Sequence, residues 1–385
     1  MNTARVNRRA VARWQRGHPW IFRSDVMDLP TGAPGPVVVL TEQRRFLGIA
    51  LWSPLSQISL RMLTGEERPI DETFWRERLT SAGRLREQQS IRATAYRVVH
   101  AEADGMPSLV VDRYADVLVV QLLSAGLEAC RASIVSALVQ MFRPAGVLAR
   151  NDVAVRRGEQ LSEDVELLHG SVPEELEVTE DAIRYLVTPR TGQKTGAFLD
   201  QRENRVRAGE LARGRALDCF AYHGSFALHL ARGSQEVVAL DSSGPALRRA
   251  QQNAALNGLD NLRMVEANVF DYLREQERAG ARYETIVLDP PAFAKRRTAL
   301  EQALRAYKEV NLRAMRLLAP GGHLATFSCS HHVNAALFRE MVEAAAADAG
   351  RMLRWIETRG QSLDHPEIVQ IPESTYLKGA ILQAL

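Results

Sequence analysis

The chain has 385 residues, 46% hydrophobic and 25% charged, with a formal net charge of +3. That length predicts two or three domains, and the balance excludes both a disordered chain and a polycation. Without a long apolar run or a secretory hydrophobic region, the reading is a soluble protein. Cys130, Cys219 and Cys329 are too few and too scattered for a disulfide framework or a zinc site, so a reducing compartment, the cytoplasm, and no metal are expected.

The amino terminus is the basic end. Arg5, Arg8, Arg9, Arg13, Arg16 and Arg23 precede the first acid, Asp25, and the first four are expected to meet phosphate. A mitochondrial targeting segment shares such an Arg-rich start, but the stretch runs straight into Gly17-His18-Pro19-Trp20-Ile21-Phe22, which reads as folded. The runs PVVVL, RFLGIAL and QISLRML then predict a small β-rich module over residues 1–70. Asp71 is a plausible cap for a helix over FWRERLTSAGRLREQQ, expected to link two domains. Residues 71–189 continue as strands broken at Asp-Gly and Ala-Asp and a helix, ACRASIVSALVQMF, giving a central α+β unit. From 190 to 385 short apolar strands alternate with helices (ALDCF, SFALHLARG, EVVALD, SGPALRRAQQNAALNG, LRMVEAN, FDYLREQERAG, ETIVLDP), which predicts a parallel, doubly wound sheet.

Ligands of such sheets sit beyond the carboxyl ends of the strands. The first strand turns through Ala221-Tyr222-His223-Gly224-Ser225 into a helix, where Gly224 allows close backbone approach and helix amides point outward. The second ends in Asp241, spaced to accept both ribose hydroxyls, and the third ends near Asn268, placed for an adenine edge. Taken singly, Gly224 fits a tight turn and Asp241 a helix cap. Together and in order they imply a nucleotide, although which nucleotide stays open; the single glycine weighs against a dehydrogenase.

ETIVLDPPAF places Asp289 at a strand end before two prolines that stiffen the turn. Its carboxyl group suits the amino edge of a planar base, and Phe293 offers a stacking surface. Cys329 follows HLATFS on the same sheet edge, where a soft nucleophile reaches a base. Cys219, within a strand, and Cys130, on a helix, fit inert core positions. His331 and His332 are neighbours able to lower the Cys329 pKa, or surface residues.

Read together, GHPWIF, GQKTGAFLDQRENR, LDCFAYHGSFALHLARG, LDPPAF, FSCS and LDHPEIVQIPESTYLKG resemble the PUA-containing large-subunit (23S) rRNA cytosine-5 methyltransferases over nearly the whole chain. The resemblance implies a PUA β-barrel at 1–70, a central linking domain at 71–189 and a Rossmann-like class I S-adenosyl-L-methionine (SAM)-dependent methyltransferase domain at 190–385, with homodimers common among relatives. It implies SAM contacts from Lys194, Thr195, Gly196, Phe198, Asp200, Gln201, Arg202, the turn Asp218 to Gly224 with Phe220 and Tyr222, Asp241, Asn268 and Asp289. It also implies Cys329 as the catalytic cysteine, with Asp289 at the base. This chain departs from the family pattern at His223 and Ser225, where Thr and Gly are usual, and at Asn268, where Asp is usual.

The implied chemistry is addition of the Cys329 thiolate to cytosine C6, which lets C5 take the methyl group. The base that removes the C5 proton is not named by the sequence. Two alternatives remain at this point: methylation of another base atom, such as guanine N7, and a non-catalytic SAM-binding ribosome-assembly factor.

Overall fold

The three apolar runs of the amino-terminal module are strands, and they join a larger sheet than they alone would make. The computed structural model describes residues 2–293 and 297–385. β1 (Thr3–Val6), β2 (Trp20–Ile21), β3 (Val26–Asp28), β4 (Gly35–Leu40), β5 (Phe46–Trp52) and β6 (Leu60–Thr64) form one sheet in the order β2-β6-β5-β4-β1-β3. Between β1 and β2 lies α1 (Arg8–Gln15), a helix that contributes no apolar run to the sequence. Its signal is a cap and a spacing: the Asn7 side chain accepts from the Ala10 amide at 3.0 Å, and Ala10, Val11 and Trp14 turn one helical face onto the core.

The next helix, α2 (Glu72–Gln88), starts at the expected cap, with the Asp71 carboxylate accepting from the Phe74 amide at 3.1 Å. It is more than a link. Phe74, Trp75, Leu79 and Ala82 are buried in the core of the following sheet, which comprises β7 (Ala95–His100), β8 (Leu109–Tyr114), β9 (Val117–Leu122), β10 (Gly146–Arg150) and β11 (Val165–Gly170) in the order β11-β10-β9-β8-β7. The helical run between β9 and β10 is split into α3 (Ala125–Glu128) and α4 (Arg131–Phe142), with Cys130 at the cap between them. Leu51 of β5 and Leu63 of β6 share that core, so the first two sheets lie in one compact unit. β12 (Leu176–Glu180) and β13 (Ile183–Val187) pair as a separate ribbon.

α5 (Arg202–Leu211) leads into the alternating region, where each predicted strand and helix is found: β14 (Arg215–Cys219), α6 (Ser225–Ala231), β15 (Glu236–Asp241), α7 (Gly244–Leu256), β16 (Leu262–Glu266), α8 (Val269–Arg278) and β17 (Tyr283–Leu288). α9 (Leu300–Leu317), β18 (Leu318–Ser328), α10 (Ala335–Ala349), β19 (Leu353–Arg359) and β20 (Lys378–Ala384) complete it. The sheet order β16-β15-β14-β17-β18-β20-β19 reverses direction between β14 and β17, which places a ligand crevice beyond those strand ends.

The expected all-parallel sheet fails at one strand. β20 is antiparallel to both neighbours, β18 and β19. A parallel neighbour needs a crossover, which α10 supplies for β19, whereas the return from β19 into the slot beside it carries no such helix. The second compact unit consists of Thr179–Leu186, Gln201–Ser362 and Thr375–Leu385, while Val187–Asp200 and Leu363–Ser374 belong with the first. The chain therefore passes between units several times rather than at one boundary.

Candidate active site

The turn after β14 is strained. Phe220, Tyr222 and Gly224 have φ of 67°, 50° and 83°, and two of these three left-handed residues carry side chains. Such backbone persists only where its surroundings hold it. Here the Tyr222 amide donates to Asp241 Oδ2 at 2.9 Å, the Ala221 amide to the Leu240 carbonyl at 3.0 Å and the Gly224 amide to the Ala221 carbonyl at 2.8 Å. Gly224 caps α6 without a side chain, and Asp218 of β14 fills in, its Oδ2 accepting from the Ala227 amide at 2.9 Å. The other oxygen of Asp218 is buried and has no hydrogen-bond partner among the described residues. Burial above all, with the neighbouring carboxylates of Asp289 and Asp241 adding to it, pushes the Asp218 carboxyl well above its usual range.

At the end of β15, Asp241 receives a second amide, from Ser243 to Oδ1 at 2.9 Å. One bond to each oxygen fixes the carboxylate and leaves each a further lone pair for a diol. Asn268 is exposed, and its Oδ1 caps α8 by accepting from the Phe270 amide at 2.9 Å and the Asp271 amide at 3.4 Å. The acceptor expected to serve adenine is thus shared with a helix cap. Aspartate caps a helix equally well, so the backbone at this strand end does not need one residue rather than the other.

The ends of β17 and β18 lie side by side. These strands are parallel neighbours, with Leu288 opposite Thr326, so Asp289 and Cys329 leave adjoining strands on one edge. Gln201 Nε2 donates to Asp289 Oδ1 at 2.8 Å, Asn204 donates to Gln201 at 2.6 Å, and Arg359 donates to Asn204 at 2.9 Å. This relay orients the aspartate. Cys329 is half-buried, its Sγ 4.0 Å from the Pro290 carbonyl oxygen. Beside it, Tyr307 shares a 2.9 Å hydrogen bond with Ser330 Oγ, and Lys378 Nζ donates to the carbonyls of Ser330 and Tyr376 at 2.7 Å each. Lys378 lies within the YLKG motif, yet nothing local in the sequence marks it, because its partners include a distant strand end. Phe293 packs against Tyr307, Phe270 and Phe220, with ring centroids 4.7, 6.1 and 6.2 Å away, so part of its stacking surface is already used within the protein. The other two thiols are buried, and burial drives that of Cys219 well above its usual range and that of Cys130 to about 11.

Residues 101–380 match the family model of S-adenosylmethionine-dependent methyltransferases, and residues 4–65 match that of PUA-like domains. Proteins named ribosomal RNA large subunit methyltransferase I from Shewanella amazonensis and Tolumonas auensis are 43% and 42% identical to this chain, over 95% and 96% of both sequences. The chain belongs to this methyltransferase family. Its fold also matches that of a Streptococcus mutans protein described as a SAM-dependent methyltransferase (TM-score 0.83, 22% identity, 100% of both chains). A methyltransferase solved in complex with SAH matches likewise (TM-score 0.86, 22% identity, 100% of both chains).

The methyltransferase uses SAM as its cofactor, and the remaining predicted residues fall in both compact units. In the first, Lys194 and Gly196 have positive φ. Lys194 Nζ pairs with Asp200 Oδ2 at 2.8 Å and lies 4.3 Å from the Phe198 ring centre. Thr195 is buried, and its hydroxyl donates to Asp112 Oδ2 at 2.6 Å and meets Tyr114 Oη at 2.9 Å. Its side chain is an anchor that ties the segment to β8, so any cofactor contact from Thr195 falls to its backbone. In the second unit, Arg202 is buried with its guanidinium on Glu203 Oε1.

The four arginines expected to meet phosphate are paired within the protein. Arg5 meets Asp28 at 2.6 Å, Arg8 meets Glu42 at 3.5 Å, and Arg9 and Arg13 hold the buried Asp25 at 2.6 and 2.9 Å. Burial alone would raise the Asp25 pKa, but hydrogen bonds from Arg9, Arg13 and Asn7 outweigh it and hold the carboxyl below its usual range. Exposed Arg16, Arg44 and Arg45 have no ion pair among the described residues. Within those residues no helix is long and apolar enough to cross a membrane, and no His, Cys, Asp and Glu cluster could hold a metal.

Proposed function

We propose that this methyltransferase forms 5-methylcytosine in large-subunit (23S) rRNA through a covalent bond between Cys329 Sγ and cytosine C6. The observation that carries this reading is the pairing of Cys329 and Asp289 on adjoining strand ends, Sγ lying 4.0 Å from the carbonyl of Pro290. The names of the curated relatives support the rRNA substrate. SAM supplies the methyl group and leaves as S-adenosylhomocysteine. The chain fits it: the strained turn after β14 holds Phe220 and Tyr222 in left-handed backbone at the strand end, the fixed Asp241 carboxylate suits the ribose diol, and Asn268 borders the neighbouring strand end. The family resemblance adds Lys194, Gly196, Phe198 and Asp200 as further contacts.

The roles of the protein groups follow from the chemistry. Cytosine C5 is a weak nucleophile, and thiolate addition to C6 turns it into an enamine-like carbon able to take the methyl group. Asp289, oriented by Gln201, holds the N3/N4 edge of the flipped base and stabilises the adduct. A base then takes the C5 proton, the C5=C6 double bond re-forms, and the C6–S bond breaks to return the thiolate. On this reading residues 1–70 are an RNA-holding PUA domain, 71–189 a central domain and 190–385 the catalytic domain of a cytoplasmic homodimer.

The test uses rRNA fragments containing 5-fluorocytidine, in which C5 carries no removable proton once methylated. The wild-type chain with SAM should form a denaturation-resistant RNA adduct mapped to Cys329, and Cys329→Ala should give neither adduct nor methylated RNA. Undiminished methyl transfer by Cys329→Ala, or label on a guanine, would sink the proposal.

A further inference from the structure

Lys378 opens β20 opposite Ser328, and the residue is only 8% exposed. Its Nζ donates to two neutral carbonyls, those of Ser330 and Tyr376, and among the described residues it has no ion pair with a carboxylate. A buried ammonium without a counter-charge is a costly arrangement. The carbonyl that it holds at 2.7 Å is that of Ser330, the residue after Cys329, so the ammonium is tied to the turn that carries the thiol. Other ionisable groups at the site are Tyr307 from α9, bonded to Ser330, Asp289 beyond β17, bonded to Gln201, and His331 and His332 on the same turn. Among these Lys378 is the buried cation.

We propose that Lys378 is a positioning residue for the reaction: it ties the Cys329–Ser330 turn to β20 and supplies the positive charge that makes Sγ a thiolate before RNA binds. This rests on the reading of Cys329 as the nucleophile. Burial lowers the Lys378 pKa to about 8 even with the opposing pull of the Cys329 charge, which leaves Nζ an ammonium at neutral pH.

The measurement is the pH dependence of Cys329 alkylation by iodoacetamide, followed on the full chain by peptide mass spectrometry. In the wild type the rate should fall less than about threefold from pH 9 to pH 7, whereas a free thiol loses nearly tenfold per unit below its pKa. Lys378→Gln keeps amide donors for the two carbonyls but removes the charge. It should alkylate about tenfold more slowly at pH 7 and at the wild-type rate at pH 10, with Lys378→Arg restoring the pH 7 rate. Superimposable wild-type and Lys378→Gln profiles would overturn the inference. So would a wild-type profile like that of a free thiol, a result that needs no variant to fold. If Cys329→Ala is inactive while Lys378→Gln leaves the profile unchanged, only the Lys378 role fails; an active Cys329→Ala overturns the nucleophile reading and this inference with it.

Discussion

His223 is the residue through which acid should first weaken the catalytic unit. It is buried, its ring stacks on Tyr185 at 5.5 Å, and neither ring nitrogen has a hydrogen-bond partner among the described residues. Burial lowers its pKa to about 4, whereas in the unfolded chain an ordinary histidine titrates near 6.5. Between those values the unfolded state binds the extra proton, so stability is full above pH 6.5 and falls as pH drops toward 4. The full difference is of order 3 kcal/mol. Urea unfolding at pH 7.5 and pH 5 should therefore show a larger loss for the wild type than for His223→Thr, by about 2 kcal/mol. Equal losses would mean that the ring finds a proton-stabilising partner in the fold. At this scale the sequence exposed Asp241, Asp289 and Cys329, because each ends a recognisable strand. It did not expose the duties of Thr195, Asn268, Arg9 or Lys378, whose partners are set by tertiary structure or by a helix cap.

The turn joining β14 to α6 is the element most sensitive to a single methyl group. Gly224 has φ of 83°, and a Cβ there would lie 2.9 Å from Ala250 Cβ on α7. Alanine in left-handed backbone is unfavourable by about 1–2 kcal/mol, and the crowding adds to that. Gly224→Ala should lower the Tm by several degrees and weaken SAM binding measured by calorimetry; unchanged affinity would separate this turn from the cofactor. A second vulnerable element is the ribbon of β12 and β13. Glu180 is buried with Arg205 at 2.6 Å and His229 at 3.1 Å, and despite its burial the Arg205 charge and the hydrogen bonds from both residues hold the carboxylate far below its usual range. Glu180→Ala strands the Arg205 charge in the interior, with an expected loss of about 3–5 kcal/mol in chemical denaturation. The strands and helices of this region were legible because period and caps are local signals. The direction of β20 was not, since it depends on a connection without a crossover helix, and α1 escaped because its apolar face is short and set among arginines.

Across the whole molecule, 49 basic and 46 acidic residues leave little net charge, so RNA affinity must come from where the unpaired cations lie. The run of amino-terminal arginines suggested a free basic patch, but the fold turns Arg9 and Arg13 onto the buried Asp25 and gives Arg5 and Arg8 acidic neighbours. Removing Arg13 should therefore act mainly through stability, by leaving Asp25 under-compensated. Arg44 and Arg45, exposed in the connection between β4 and β5, carry no ion pair among the described residues and are the better candidates for phosphate. Each phosphate that is no longer neutralised should reduce the slope of log K against log salt by about 1. The double variant Arg44→Gln/Arg45→Gln should thus bind an rRNA fragment with a salt slope shallower by about 2, with its Tm unchanged. Arg13→Gln should show the reverse, a lowered Tm with little change in slope. A shallower slope for Arg13→Gln with Arg44 and Arg45 silent would return the RNA grip to α1.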